Sequence, residues 1–235
     1  MASPSHGPGA PEAAAAPAGD HQHGAAQAKQ ALRSHFRRRR REALGQAADG
    51  ILAVAQRELP ALLPPGRRLG LWWPVGAEPD PRPLAAALEA QAPGRLALPA
   101  VLAWPGPGPR LLYLPWRPGD PLHPDACAIP SPAPPAPGGP GPLAAAHLAL
   151  LLVPALAIDR SGIRLGSGGG WYDRLRADPA WRAVPALAVL PAACVCAEAL
   201  PRDPWDVPFD GWLDETGLHH TSNPGRAAGD FVASS

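Results

Sequence analysis

The chain has 235 residues and a formal net charge of +1, a size that suits one domain with a sizeable core and a charge that excludes bulk attraction to a polyanion as its organising feature. Hydrophobic residues make up 46%, yet no apolar run reaches membrane-spanning length: residues 148–158 are too few and contain Pro154. Proline (35) and glycine (25) together form about a quarter of the chain, the level at which low-complexity segments are expected. Nearly all basic residues are arginine, the pattern of GC-biased coding, which gives weight to the single lysine, Lys29, as a site needing a compact ammonium. Cys127, Cys194 and Cys196 fit neither a disulfide framework nor a four-ligand zinc site. Cys194 and Cys196, which alternate and would face one side of a strand, read as small buried core residues, and reduced thiols are expected of a cytoplasmic protein.

Residues 1–25 are rich in Ala, Pro, Gly and His and lack periodicity, so a disordered leader is expected there. It has no basic start or apolar segment of a signal peptide, and His6, His21 and His23 read as solvated rather than as a metal site. From 27 to 44 the pattern becomes helical, with Leu32 and Phe36 on one face and Lys29, Arg33, Arg37 and Arg41 on another at four-residue spacing. The run from Arg37 to Arg41 matches a nuclear-localisation or RNA-binding patch, or else one solvated cationic face, which is the preferred reading. A second helix is predicted over 47–58, stopped by Pro60 and Pro64. Strands are predicted at 69–73, 96–100, 111–114, 148–153 and 186–190, and helices at 83–91 and 171–177. Near-continuous apolar strands between helices predict an α/β layered sheet, largely parallel. Residues 131–143 form a Pro/Gly-rich linker-like loop. The domain is thus expected at 26–220, followed by a loose tail over 221–235.

The segment after the strand at 148–153 is the most informative. Arg164 and Leu165 lead into Gly166, Ser167, Gly168, Gly169 and Gly170, then Trp171, Tyr172 and Asp173. Four glycines in five residues let the backbone take positive φ and turn its N–H groups inward, and a helix starting just after adds unpaired amides and a positive dipole end. Arg164 is placed to pair with a phosphate, and Asp173 to hold Mg²⁺ against bound phosphates. The loop is neither a Walker A motif nor a dinucleotide fingerprint. By itself it reads equally as a phosphate cradle or a flexible turn.

The whole stretch from Arg164 to Asp173 resembles the signature of 5-formyltetrahydrofolate cyclo-ligases, also called methenyltetrahydrofolate synthetases, preceded here by the Asp159-Arg-Ser-Gly162 turn. Three further segments are similar to that family in the same order. They are Lys29-Gln-Ala-Leu-Arg33, the strand and loop from Trp72 to Asp80 with Glu78, and the element from Leu200 to Asp210 with Asp206. The sequence departs from the family at Trp171 (usually Tyr), at Trp205 (usually His) and at Asp214 (where Thr is common).

The resemblance implies a three-layer, Rossmann-like cyclo-ligase fold. It also implies ATP- and Mg²⁺-dependent conversion of 5-formyltetrahydrofolate to 5,10-methenyltetrahydrofolate. Lys29 and Arg164 would serve catalysis. ATP would contact Lys29, Arg33, Arg164, Leu165, Gly166, Ser167, Gly168, Gly169, Gly170, Trp171 and Tyr172. The folate would contact Trp73, Glu78, Trp171 and the loop from Ser167 to Gly170, with Glu78 on the pterin. Asp173 and Asp206 would hold the metal. The expected partner is a small folate, met by a monomer with no nucleic acid and no membrane. The alternative is a catalytically impaired relative that binds nucleotide, or RNA through the Arg37–Arg41 run.

Overall fold

A computed structural model describes residues 19–221 apart from 137 and 140, with side chains from residue 27 onward. Helix α1 (Gly19–Glu58) is followed by strand β1 (Arg68–Gly70), helix α2 (Arg82–Gln91) and strands β2 (Leu96–Ala103), β3 (Pro109–Trp116), β4 (Leu122–Pro124) and β5 (Pro130–Pro132). Then come β6 (Leu148–Pro154), β7 (Ala157–Asp159), β8 (Arg164–Leu165), α3 (Trp171–Ala177), α4 (Pro179–Ala183), β9 (Ala186–Val189), β10 (Val195–Cys196), β11 (Gly211–Asp214) and β12 (Gly217–His220).

The main sheet has seven strands in the order β12-β11-β9-β6-β1-β2-β3. The five inner strands are parallel, and β3 and β12 run antiparallel at the two edges. This is the layered, mostly parallel α/β sheet the sequence predicts. Alternation along β9 shows how it is covered: Ala186 and Ala188 face one apolar core, Leu187 and Val189 the other. The first core is closed by Tyr172, Leu175 and Trp181 of α3 and α4, the second by Ile51, Val54 and Ala55 of α1 with Leu84 and Leu88 of α2.

Two expectations change. The predicted helices at 27–44 and 47–58 are one element of 40 residues, because Gly45 is the only breaker between them and a lone glycine costs only about 1 kcal/mol in a helix. That helix begins at Gly19, inside the expected leader; residues 1–18 and the tail from 222 lie outside the described residues. Pro99 sits within β2, as the strand predicted over 96–100 has it, and β2 runs on to Ala103. β1 pairs with β2 only at Leu96 and Ala97, so at Pro99 the partner is β3 alone and no N–H is needed on the other side. The short hairpin β11–β12 has too few apolar residues to stand out in sequence. Among the described residues no helix is long and apolar enough to cross a membrane.

The chain runs from β1 to β2 in one direction across the sheet and from β6 through β9 to β11 in the other. The order therefore reverses between β1 and β6, and in such sheets the crevice beyond the carboxyl ends of the strands at that point receives ligands. The loops there are pinned from below. Asp159, almost fully buried, accepts from Ser161 N (2.9 Å), Ser161 Oγ (2.7 Å), Ile163 N (3.0 Å) and, 41 residues on, Leu200 N (2.8 Å). It thus ties the lead-in of the glycine loop to the segment carrying Asp206. Asp159→Ala leaves these buried donors unmet and is expected to cost about 3 kcal/mol or more, read as a lowered midpoint of thermal unfolding; an unchanged midpoint contradicts this role.

Candidate functional site

A cavity of about 1110 Å³ opens at the reversal point, lined by Trp72, Trp73 and Glu78 after β1, by Pro154 at the end of β6, and by the whole of Arg164 to Arg174. Its volume exceeds the ~300–1,000 Å³ of pockets for one small ligand, so there is room for two. Helix α1 forms one wall. Lys29, Arg33, Arg37, Arg40 and Arg41 all line the cavity, so the cationic stripe faces inward. This corrects in part the reading of 37–41 as a solvated face: Arg40 is buried and Arg37 half-buried, while Arg38, paired at 3.9 Å with Glu42, Arg39 and Arg41 are exposed.

The glycine loop is held by its carbonyl groups. Arg33 Nε donates to Gly166 O (3.2 Å), Arg37 Nη2 to Ser167 O (3.1 Å) and Arg174 Nη2 to Gly169 O (2.8 Å). Among the described residues no hydrogen bond uses the N–H groups of residues 166–170 as donors. Residues 167–169 are exposed, so these amides are open to a ligand. Gly168 and Gly170 have φ of +118° and +62°, where side chains are strained. A Cβ on Gly166 would lie 2.6 Å from the Arg164 guanidinium. The loop therefore needs glycine for conformation at Gly168 and Gly170, whereas the contact at Gly166 is with the movable end of a side chain. Gly170 then caps α3 with no side-chain hydrogen bond.

Arg164 is nearly buried, packs over Tyr172 (5.5 Å) and Phe209 (5.2 Å), and sits 3.6 Å from Asp173. Its Nε has no hydrogen-bond partner among the described residues. Burial pushes the Tyr172 phenol up to about 12, so it stays neutral beneath this cation. Arg174 lies over the Trp171 ring at 4.3 Å and fixes it at the loop's end. Trp73 meets Trp116 edge-on at 6.3 Å while still facing the cavity.

Lys29 Nζ is bound by Asp203 Oδ2 and Asp206 Oδ2, each at 2.7 Å. Burial disfavours its charge, but these hydrogen bonds and the two carboxylate charges outweigh it and hold its pKa above the ordinary value. Asp203 was not singled out from the sequence. The signal was Asp203-Pro-Trp-Asp206, a β-turn with proline at its second position, closed by Asp206 N to Asp203 O (3.0 Å) and Asp203 N to Asp206 Oδ2 (2.7 Å). Asp173 and Asp206 both line the cavity, and among the described residues no three His, Cys, Asp or Glu side chains gather as a metal cluster. Carboxylates of this kind are the residues that could hold Mg²⁺, which usually takes one or two carboxylates and completes its shell with phosphate oxygens and water. Asp214 takes no part: it is buried in β11, bonding Trp212 Nε1, Thr216 and His219 of its own hairpin.

At the other end, Glu78 Oε2 accepts from Val75 N (3.0 Å) and Oε1 lies 3.8 Å from Arg40 Nη1. Burial raises the Glu78 pKa against the opposing pull of the Val75 amide and Arg40. Because the folded-state value exceeds the ordinary 4.5, the stability linked to this group is full below 4.5 and is lost as pH rises through the folded value. Glu78→Gln removes that loss. The unfolding midpoint of the variant relative to the parent is expected to shift in the variant's favour as pH rises from about 4.5, measured by thermal scans across pH; a difference that is flat or moves the other way contradicts it.

The family model of 5-formyltetrahydrofolate cyclo-ligases matches residues 25–214. A 5-formyltetrahydrofolate cyclo-ligase of Haemophilus influenzae is 41% identical over 64 residues, 27% of this chain and 33% of that protein. One of Mycolicibacterium smegmatis is 72% identical over 25 residues, 11% of this chain and 13% of that protein. The aligned stretches thus span a third or less of these relatives. Among solved structures, a 5,10-methenyltetrahydrofolate synthetase of Aquifex aeolicus superposes with TM-score 0.60 at 24% identity, over 85% of this chain and 95% of that one. One of Mycoplasma pneumoniae gives 0.56 at 17%, over 80% and 98%. Both are likenesses of fold.

Proposed function

We infer the reaction from one premise: the chain belongs to the 5-formyltetrahydrofolate cyclo-ligase family. We propose that it converts 5-formyltetrahydrofolate to 5,10-methenyltetrahydrofolate at the expense of ATP. The observation that carries this reading is the glycine loop, which lines a cavity with room for two ligands and whose carbonyls are taken by Arg33, Arg37 and Arg174, while among the described residues no hydrogen bond uses its N–H groups.

The chemistry asks for little beyond positioning and charge. The formyl oxygen on N5 attacks the γ-phosphorus and the bond to ADP breaks. N10 then attacks the activated carbon, and the C–O bond breaks as phosphate departs with the proton that N10 gives up, leaving the methenyl bridge. An amide-like oxygen is a poor leaving group until it is phosphorylated. Phosphoryl transfer depends mainly on fixed positive groups around the transferred phosphate. The loop amides with Arg33, Arg37 and Arg164 supply these, and Trp171 and Tyr172 border the same wall. Asp173 and Asp206 would hold Mg²⁺, which when bound offsets phosphate charge. Glu78 would accept from the pterin N–H donors, a charge-assisted pair, and Trp73 would flank the ring. Lys29 would hold the Asp203–Asp206 turn and offset one of its two negative charges, lessening its repulsion of the nucleotide. A cytoplasmic setting belongs to the same proposal.

Purified chain given ATP, Mg²⁺ and 5-formyltetrahydrofolate is expected to develop the absorbance of the methenyl product; folded protein without product overturns the proposal. Lys29→Ala removes one cation and leaves two carboxylates without their partner. Its KM for ATP is expected to rise roughly 10- to 100-fold, more than for Arg33→Ala, in steady-state assays; an unchanged KM removes Lys29 from the nucleotide site.

A further inference from the structure

We propose that Trp205 is the stacking platform for the purine base of the nucleotide, an assignment that rests on the ATP-dependent reading above and adds the place of the base to it. Trp205 is 64% exposed, far more than the other tryptophans that line the cavity. A tryptophan left this open forgoes most of the burial such a ring normally gains. It sits on the cavity lip, and its backbone is not loose. It lies inside the Asp203–Asp206 turn, which is closed by two hydrogen bonds and fastened to α1 through both carboxylates on Lys29. The backbone under the ring is thus held in place, and the exposed ring is available to a flat partner.

The position along α1 decides which flat partner. Lys29 grips the Trp205 turn, Arg33 and Arg37 grip the glycine loop, and Arg40 faces Glu78. Eleven residues separate Lys29 from Arg40, about 16 Å of helix rise. Glu78, with acceptors suited to ring N–H groups, lies at one end, the phosphate cradle in the middle and Trp205 at the other end. A substrate that must meet the γ-phosphate from the Glu78 side leaves the rest of the nucleotide to run toward Trp205. The charges agree. Asp203 and Asp206 against one Lys29 leave the turn with net charge of −1 by formal count, which opposes the anionic tail of a folate but tolerates a neutral base. Stacking of this kind accepts any base with a π-face, so ATP and GTP are expected to be used with similar KM.

The test is calorimetric titration of the full chain with ATP and with inorganic tripolyphosphate, each with Mg²⁺, comparing the parent with Trp205→Ala and Trp205→Phe, alongside steady-state KM for both substrates. Trp205→Ala is expected to weaken ATP about tenfold, leave tripolyphosphate affinity and the KM for 5-formyltetrahydrofolate unmoved, and be largely rescued by Trp205→Phe. Unchanged ATP affinity overturns the assignment. So does a rise confined to the folate KM, which would give the ring to the other substrate. Equal weakening of tripolyphosphate also overturns it, since Trp205 would then act through the turn and Lys29. A parent chain that binds ATP but shows no turnover overturns the reaction and leaves the base assignment to the same titrations; a parent that binds no ATP overturns both.

Discussion

Cations spaced along one face of α1 hold three separate walls of the cavity in register. Lys29 fastens the turn at Asp203 and Asp206. Arg33 and Arg37 take the carbonyls of Gly166 and Ser167. Arg40 donates to Ala155 O, just beyond β6, at 3.1 Å and faces Glu78 in the loop after β1. Positions 29, 33, 37 and 40 fall on one helical face at three- and four-residue spacing. Exposed ion pairs on a surface contribute little, but Lys29 and Arg40 are buried, so removing either partner leaves a costly unpaired group. One unbroken helix is what makes this possible, because two helices joined at Gly45 would not bind the stripe rigidly to the part of α1 that packs on the sheet.

The same arrangement explains why the glycine loop is more than a flexible turn. Its carbonyls point into arginine donors and its amides remain unspent. The positive φ at Gly168 and Gly170 ties these glycines to this geometry. Cationic side chains line the same cavity as the loop, and of the acidic residues that line it Asp203 and Asp206 pair with Lys29, Glu78 with Arg40 and Asp173 with Arg164, while Asp125 accepts from backbone N–H groups.

Much of this was legible in the sequence because it rests on local patterns. The strand–glycine loop–helix unit, the four-residue spacing of Lys29, Arg33 and Arg37, and the apolar runs of β6 and β9 each carry their own signal. What was not legible depends on contacts distant in sequence. That Arg40 turns inward is set by Ala155 and Glu78, and that Asp203 joins Asp206 is set by Lys29, 174 residues upstream. The hairpin of β11 and β12 was missed for a different reason. It is short, and its stability comes from Asp214 collecting the donors of its own turn rather than from a run of apolar residues. Pro99 shows the converse: a residue that usually ends a strand is accommodated where the sheet opens toward the cavity.

The central claim is that one anion site lies between the face of α1 and the loop amides. A crystal structure of the chain with Mg²⁺ and a non-hydrolysable ATP analogue tests it directly. Phosphate oxygens are expected on the N–H groups of Gly166 to Gly170, with Arg33 and Arg164 beside them. Phosphates bound elsewhere, with those amides turned away from them, would contradict it.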